Sequence, residues 1–349
     1  MARRRDKLNI RSTLYYWSPR SINSPEIRDF KQIVVYYNHF VHNRPMSGAV
    51  KPIRKAARQL VRELHLLDGR VECCGLPLSQ CHLIIELDML GEATASELGD
   101  RLVLEKSTMS RLVNTLVNKG LICAACCPED RRARNLCLTD EGRQQAGNLD
   151  NHANGQVEAA LEFLNPHDEK LVIDGLDRYA KALRYARQSD QYRIRPISPA
   201  DNESVARIIR SVMTEFGAVG EGYSSSDPEV DAMFEAYPTP DSAFFVVENH
   251  ECILGCGGMG PLRGADENVC ELRKMYFLPQ LRGSGMGSKL LRKILQEARN
   301  AGYGLCYLET ITAMDQARKL YRGFGFRDID EPLGKTGHSG CNQHMVLEL

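Results

Sequence analysis

The chain has 349 residues, more than one ordinary core sustains, so two domains are expected. A hydrophobic content of 43% and a charged content of 26% are those of a globular protein; no apolar run reaches the ~18 residues of a membrane span, and the basic start Met1-Ala-Arg-Arg-Arg is read as lacking the apolar stretch of a secretory signal. The formal net charge is zero, yet residues 1–190 hold 28 Lys and Arg against 24 Asp and Glu, and residues 191–349 hold 17 against 21, an asymmetry that permits a nucleic-acid contact in the first half without demanding one.

Twelve cysteines are not spaced as a small disulfide scaffold. Several sit in apolar text, such as Cys137 between Leu136 and Leu138 and Cys306 between Leu305 and Tyr307. They are read as buried, reduced thiols of a cytoplasmic protein.

Residues 1–50 form an N-terminal extension, poorly packed and without an assigned function, with one helix expected over Ile27–Val41. From Ile53 to Leu67 apolar residues recur with helical period, and Leu78–Leu90 reads as a second helix between Pro77 and Gly91. Thr94 is placed to cap a short helix ending at Leu102, and a fourth helix spans Lys106–Lys119. Strands follow at Leu121–Cys126 and Asn135–Thr139, joined by a turn over Pro128–Ala133. Two long helices, Asp140–Phe163 and His167–Arg187, complete this half, and the polar run Ser189-Asp-Gln191 marks the boundary. Residues 51–190 are thus one domain and 191–349 another.

The second half alternates. A strand at Tyr192–Ile197 precedes a helix to Phe216; strands follow at Ala243–Glu248, Cys252–Gly260 and Val269–Leu278. A helix at Ser284–Ala301, a strand at Gly304–Glu309, a helix at Ala313–Gly323 and strands near Phe326 and at His344–Leu349 end the chain. Such mixing argues for a layered α/β domain.

In the fourth helix Met109, Leu112, Val113, Leu116 and Val117 define one buried face. The other face carries Ser107, Ser110, Arg111, Asn114 and Asn118, short hydrogen-bonding groups and one guanidinium with no carboxylate, which suits entry into the major groove of a polyanion. With the helix before it this makes a helix-turn-helix, and Arg131, Arg132 and Arg134 at the hairpin tip can reach phosphates or a narrow minor groove. Residues 51–187 resemble the MarR family of winged-helix regulators, through Leu104–Ile122 and Asp130–Gly142. The resemblance implies a homodimer on double-stranded DNA, held by its first and last helices. It puts DNA contacts at Ser107, Thr108, Ser110, Arg111 and Asn114, a wing arginine at Arg132 and a bracing acid at Asp130. Cys123, Cys126 and Cys127 are unusual on such a wing; inert thiols, a redox function and a metal site are all conceivable, the last disfavoured because no further ligands are adjacent.

The loop Arg282-Gly-Ser-Gly-Met-Gly287 lies between a strand and an amphipathic helix. Glycines let backbone N–H groups approach a phosphate, the helix N-terminus adds partial positive charge, and Arg282 can add a formal one. Followed by Ala317-Arg-Lys-Leu-Tyr321 and Gly325-Phe326, the loop resembles that of the GNAT acetyltransferases over residues 192–349. The resemblance implies acetyl-CoA as co-substrate, no metal, and transfer of the acetyl group to an amine. Cofactor contacts then fall on Met275, Phe277, Leu278, Arg282, Gly283, Ser284, Gly285, Met286 and Gly287, with oxyanion stabilisation from a backbone N–H near Phe277. Glu271 is the implied base and Tyr321 the implied acid for the departing thiolate. Where the family often has an asparagine contacting the cofactor arm, this chain has Met314.

The acidic segment 217–240, with Glu221, Asp227 and Glu229, is expected on the acceptor side, mildly favouring a cationic amine. Taken together the chain reads as a DNA-binding regulator fused to an N-acetyltransferase. Two alternatives stay open: a regulator whose second domain only senses acetyl-CoA, and an enzyme that keeps the winged helix only for dimerisation.

Overall fold

The computed structural model describes residues 48–71, 73–126 and 134–349, with side chains 124–126 and 134 and that of Asp68 left aside. The extension and the helix expected at Ile27–Val41 lie outside the described residues, as does the hairpin tip with Arg131 and Arg132. Packing of Cα atoms divides the chain into two compact units, one ending at Ala160 and the other beginning at Leu161.

The first unit opens with α1 (Val50–Glu63), which buries none of its residues. Then come α2 (Leu78–Leu90), β1 (Glu92–Thr94), α3 (Ala95–Leu102), α4 (Lys106–Asn118), β2 (Ile122–Cys126) and β3 (Arg134–Leu138). Thr94 caps α3 as expected: its hydroxyl accepts from the Glu97 N–H at 3.2 Å while the Glu97 carboxylate takes the Thr94 N–H at 2.7 Å. Thr94 also ends β1, a strand too short to read from alternation, and the antiparallel sheet runs β1–β3–β2. Leu83, Ile84, Leu87, Leu98, Met109 and Leu116 form the core beneath it. The helix α5 (Asp140–Leu161) leaves the hairpin and lends Ala146 and Leu149 to that core.

The second unit begins with α6 (Pro166–Gln188), capped by Asn165 and again burying none of its residues. The strand β4 (Arg193–Pro196) and α7 (Asn202–Glu215) precede β5 (Ala243–Glu248), β6 (Ile253–Pro261) and β7 (Val269–Phe277); α8 (Met286–Asn300), β8 (Leu305–Thr310), α9 (Asp315–Gly323), β9 (Arg327–Ile329) and β10 (Gln343–Glu348) follow. Seven strands order as β4-β5-β6-β7-β8-β10-β9, antiparallel except for β7 beside β8. Alternation along β5 sends Phe245 and Val247 to the α8 face and Phe244 and Val246 to the α7 face, giving two layers of core about one sheet. The fold is a winged-helix unit of mainly α structure followed by an α/β unit with a mixed, mostly antiparallel sheet.

Two irregularities shape the second unit. The parallel ladder between β7 and β8 pairs only Val269, Cys270 and Glu271 with Leu305, Cys306 and Tyr307, and beyond Glu271 the strands part. Just past that point β7 bulges. Cys256 pairs with Tyr276 but Gly258 with Arg273, so Gly257 alone faces Lys274 and Met275. Lys274 takes φ +51°, rare for a side-chain-bearing residue. Gly257 fits closely there: a Cβ would lie 3.2 Å from the Met275 Cα and 3.3 Å from Leu290, so any side chain asks its neighbours to give by a few tenths of an ångström.

Candidate functional site

The parting of β7 and β8 opens a cleft lined by Glu271, Lys274, Tyr276, Glu309, Tyr321 and His338, among others. Glu271 is the last residue of β7 paired with β8 and is 5% exposed. Its Oε2 accepts from the Arg273 Nε at 2.6 Å. Burial pushes the Glu271 carboxyl above its ordinary value, and Arg273 opposes that only in part. Tyr321, from α9, reaches the same cleft; burial holds its phenol well above the usual range, and its hydroxyl makes no hydrogen bond among the described residues. A neutral phenol with a free O–H can give a proton to a leaving group.

Along β7 the Leu278 N–H is spent on the Leu254 carbonyl at 2.9 Å. Strand alternation turns the Phe277 N–H to the opposite edge, towards the opening. Met275 also lines the cleft. The expected asparagine position, Met314, is present there too, its sulfur 3.8 Å from the Thr310 hydroxyl.

The glycine loop has the form that its sequence suggests. Gly283 and Gly285 take φ +72° and +80°, and Gly285 caps α8. A side chain at Gly285 would also meet Tyr185 of α6 at 2.6 Å. The Ser284 hydroxyl donates to the Leu281 carbonyl at 2.5 Å and so braces the turn, while the Met286 side chain is buried in the core. The Met286 N–H turns back to the Ser284 hydroxyl oxygen at 3.4 Å, so what the turn offers a ligand is the Ser284 N–H and the unbonded first turn of α8 at Gly287. The Arg282 side chain departs from expectation. Its guanidinium is held by Glu215 at 2.5 and 2.7 Å and by the Phe277 carbonyl at 2.9 Å, over the Phe216 ring. Arg282 ties the loop to α7 and β7 and is not a loose cation beside the glycines.

On the acceptor side a chain of polar groups crosses the cleft that sequence reading did not find. His338 places Nε2 3.0 Å from Asp227 Oδ2 and Nδ1 3.5 Å from Glu309 Oε2. Glu309 also accepts from the Tyr307 hydroxyl at 2.6 Å and the Thr336 hydroxyl at 2.8 Å. Asp227 pairs with the buried Lys274, whose ammonium lies 3.6 Å from Glu229. Burial works against an imidazolium at His338, but hydrogen bonds to Asp227 and Glu309 outweigh it and hold the ring up to about 9. Burial likewise opposes the Asp227 carboxylate, yet His338 and Lys274 bring it down to about 2. Part of the acidity of segment 217–240 is therefore answered internally: Asp227 and Glu229 fasten this segment to β7, while Glu221 is exposed. Nothing local in the text flagged His338, because its partners lie far away in sequence.

In the first unit Met109, Leu112 and Leu116 of α4 are buried as expected, but Val117 is 40% exposed and leaves the predicted stripe. Ser107, Ser110, Arg111 and Asn114 are exposed and Thr108 is half-buried. The Arg111 Nε reaches back to the Ser107 carbonyl at 3.3 Å. Arg134 opens β3 opposite Cys126, and its side chain is outside the described set.

Comparison with known proteins agrees with this architecture. Residues 206–326 match the family model described as acetyltransferase (GNAT) family, and residues 75–133 match that of the MarR family. The uncharacterized N-acetyltransferase YjgM of Escherichia coli (strain K12) is 41% identical over 157 residues, which are 45% of this chain and 94% of that protein. Among solved structures, a GNAT-family acetyltransferase from Staphylococcus aureus Mu50 is 24% identical, covering 45% of this chain and 99% of its own at a TM-score of 0.41. The PcaV transcriptional regulator of Streptomyces coelicolor, in complex with its natural ligand, is also 24% identical, covering 40% of this chain and 99% of its own at a TM-score of 0.33.

The chain belongs to the GNAT acetyltransferase family and carries a MarR-like regulator region ahead of the transferase. It is an N-acetyltransferase, of a family that uses acetyl-CoA. No helix among the described residues is long and apolar enough to cross a membrane.

Proposed function

We propose that this protein acetylates an amine from acetyl-CoA in the β7–β8 cleft and binds double-stranded DNA as a cytoplasmic homodimer through residues 51–190, with 191–349 as the transferase. The observation that carries the catalytic half is the meeting of Glu271 and Tyr321 in one cleft, at the point where β7 loses its neighbour. Residues 275–278 leave a strand edge for the amide-rich arm of the donor, and the backbone of Gly283, Ser284, Gly285, Met286 and Gly287 would hold its pyrophosphate, with Arg282 bracing that loop. Bound acetyl-CoA supplies the activated acetyl thioester. Glu271, or a water it holds, removes the amine proton. The Phe277 N–H faces the developing oxyanion, and the Tyr321 phenol returns a proton to the leaving sulfur.

For DNA, support comes from the exposed polar face of α4 above a buried apolar one. For the dimer, α6 exposes Val172, Leu176, Tyr179 and Leu183 at helical spacing, and α1 exposes Ile53 and Leu60. Unpartnered stripes of this kind fit a second copy of the chain. Acetyl-CoA turnover by the full chain with a panel of amines, with and without duplex DNA, tests the reading. Turnover on at least one amine and salt-dependent DNA binding, lost in an Arg111→Ala/Arg132→Ala variant, are expected. Acetyl-CoA binding without turnover on any amine would favour a sensor, and turnover without DNA affinity would leave the first unit as a dimerisation device.

A further inference from the structure

Cysteines gather in three places among the described residues, and one of them pairs two accessible thiols across adjacent strands; the exposed Cys73 and half-buried Cys74 are neighbours along the chain only. Cys270 and Cys306 are register partners at the base of the cleft, but both are fully buried. Cys74 and Cys81 hold their sulfurs 3.7 Å apart, yet Cys81 is buried and its thiol is pushed up to about 12, chiefly by that burial. Cys123 on β2 and Cys137 on β3 are direct cross-strand partners at the root of the hairpin, with Sγ atoms 2.9 Å apart. Cys123 is exposed and Cys137 half-buried. The sequence had suggested inert, buried thiols at positions like Cys137 and had grouped Cys123 with Cys126; the sulfur that Cys123 meets is that of Cys137.

We propose that Cys123 and Cys137 form a redox couple that a peroxide closes into a disulfide across the hairpin. Direct cross-strand partners keep their Cβ atoms about 4.5–5.5 Å apart, bordering the ~3.5–4.5 Å of a disulfide, whose S–S bond is about 2.05 Å. The thiols already lean together, so closure asks for little backbone movement. Cys137 is held in its protonated form, first by its hydrogen bond with Cys123 and then by partial burial, so the first attack falls to the exposed Cys123. Its thiolate attacks one peroxide oxygen. An S–O bond forms, the O–O bond breaks, and the departing hydroxide takes a proton to leave as water. Cys137 then loses its proton and attacks the Cys123 sulfur; the S–S bond forms and the S–O bond breaks, releasing a second water. Each sulfur gives up one electron and the peroxide accepts two. This chemistry does not depend on the hairpin's touching DNA.

The test treats the full-length protein with hydrogen peroxide, blocks remaining thiols by alkylation, and maps tryptic peptides by mass spectrometry. Cleavage after Arg131 and Arg134 puts the two cysteines on separate peptides, and a Cys126→Ser/Cys127→Ser background removes ambiguity on the first. Most of Cys123 is expected in a dithiothreitol-reversible cross-link to Cys137, formed before the exposed Cys252 is consumed. A Cys137→Ser variant should instead accumulate a Cys123 sulfenic acid trapped by dimedone. Cys123 and Cys137 that stay separately alkylated while Cys252 is oxidised, or a Cys123 linked to any other cysteine, would overturn the proposal.

Discussion

Replacing His338 by glutamine keeps a hydrogen-bonding side chain but removes the charge that bridges Asp227 and Glu309. In the folded chain the ring titrates at about 9, against an ordinary 6.5. A folded value raised above the unfolded one contributes stability fully below pH 6.5 and loses it as pH climbs through about 9. At about 1.4 kcal/mol per unit the ceiling is ~3 kcal/mol. Residual solvent contact and the strong coupling to two carboxylates cut this to roughly 1–2 kcal/mol. The stability gap between wild type and His338→Gln, read by thermal unfolding under reductant, should therefore be a few degrees at pH 6 and should shrink towards zero near pH 9.5, at ~2–4 °C per kcal/mol. Taking the difference cancels the ionisation of cysteines shared by both proteins. A gap that is constant or widens with pH would refute the assignment of a charged His338.

Three other outcomes follow from the same geometry. Gly257→Ala sets a methyl 3.2 Å from the Met275 backbone and should cost about 1–3 kcal/mol by urea unfolding, with a raised KM for acetyl-CoA as β7 is displaced. Glu271→Gln should lower kcat/KM by roughly 10²–10⁴ and abolish the rising limb of the pH–rate profile, whose midpoint in wild type lies above the ordinary carboxyl value because Glu271 is buried; an unchanged profile would remove Glu271 from the proton path. Arg111→Ala should weaken binding to duplex DNA and lower the salt dependence by about one counterion, measured by fluorescence anisotropy across salt concentrations.

Much of the architecture was legible because it is set by local chemistry. The cap at Thr94, the breaks at Pro77 and Gly91 and the glycine loop before α8 are contiguous signals, and among the described residues each expected element stands within a few residues of its place, with β1 the unexpected addition. The proposed pair, Glu271 and Tyr321, was named from motif order, and the structure brings both to one cleft. The bulge at Lys274 was not, because it follows from a register shift against β6 that no stretch of β7 announces. The His338–Asp227–Glu309 bridge was hidden for the same reason: three segments supply it, and only the closed sheet brings them together. Arg282 and Val117 show the converse. Arg282 reads as a positive charge beside the glycines, and its partner Glu215 is remote in sequence; Val117 fits a helical stripe by period but falls at the end of α4, beyond the core.

The most direct test of the proposed transfer centre is Tyr321→Phe, compared with wild type for acetyl-CoA affinity by calorimetry and for CoA release with an accepted amine. The phenol has no hydrogen bond to lose among the described residues, so affinity and stability should hold while kcat falls on the order of 10²-fold. An unchanged kcat, or a loss confined to acetyl-CoA affinity, would contradict a proton-donating Tyr321 in the β7–β8 cleft.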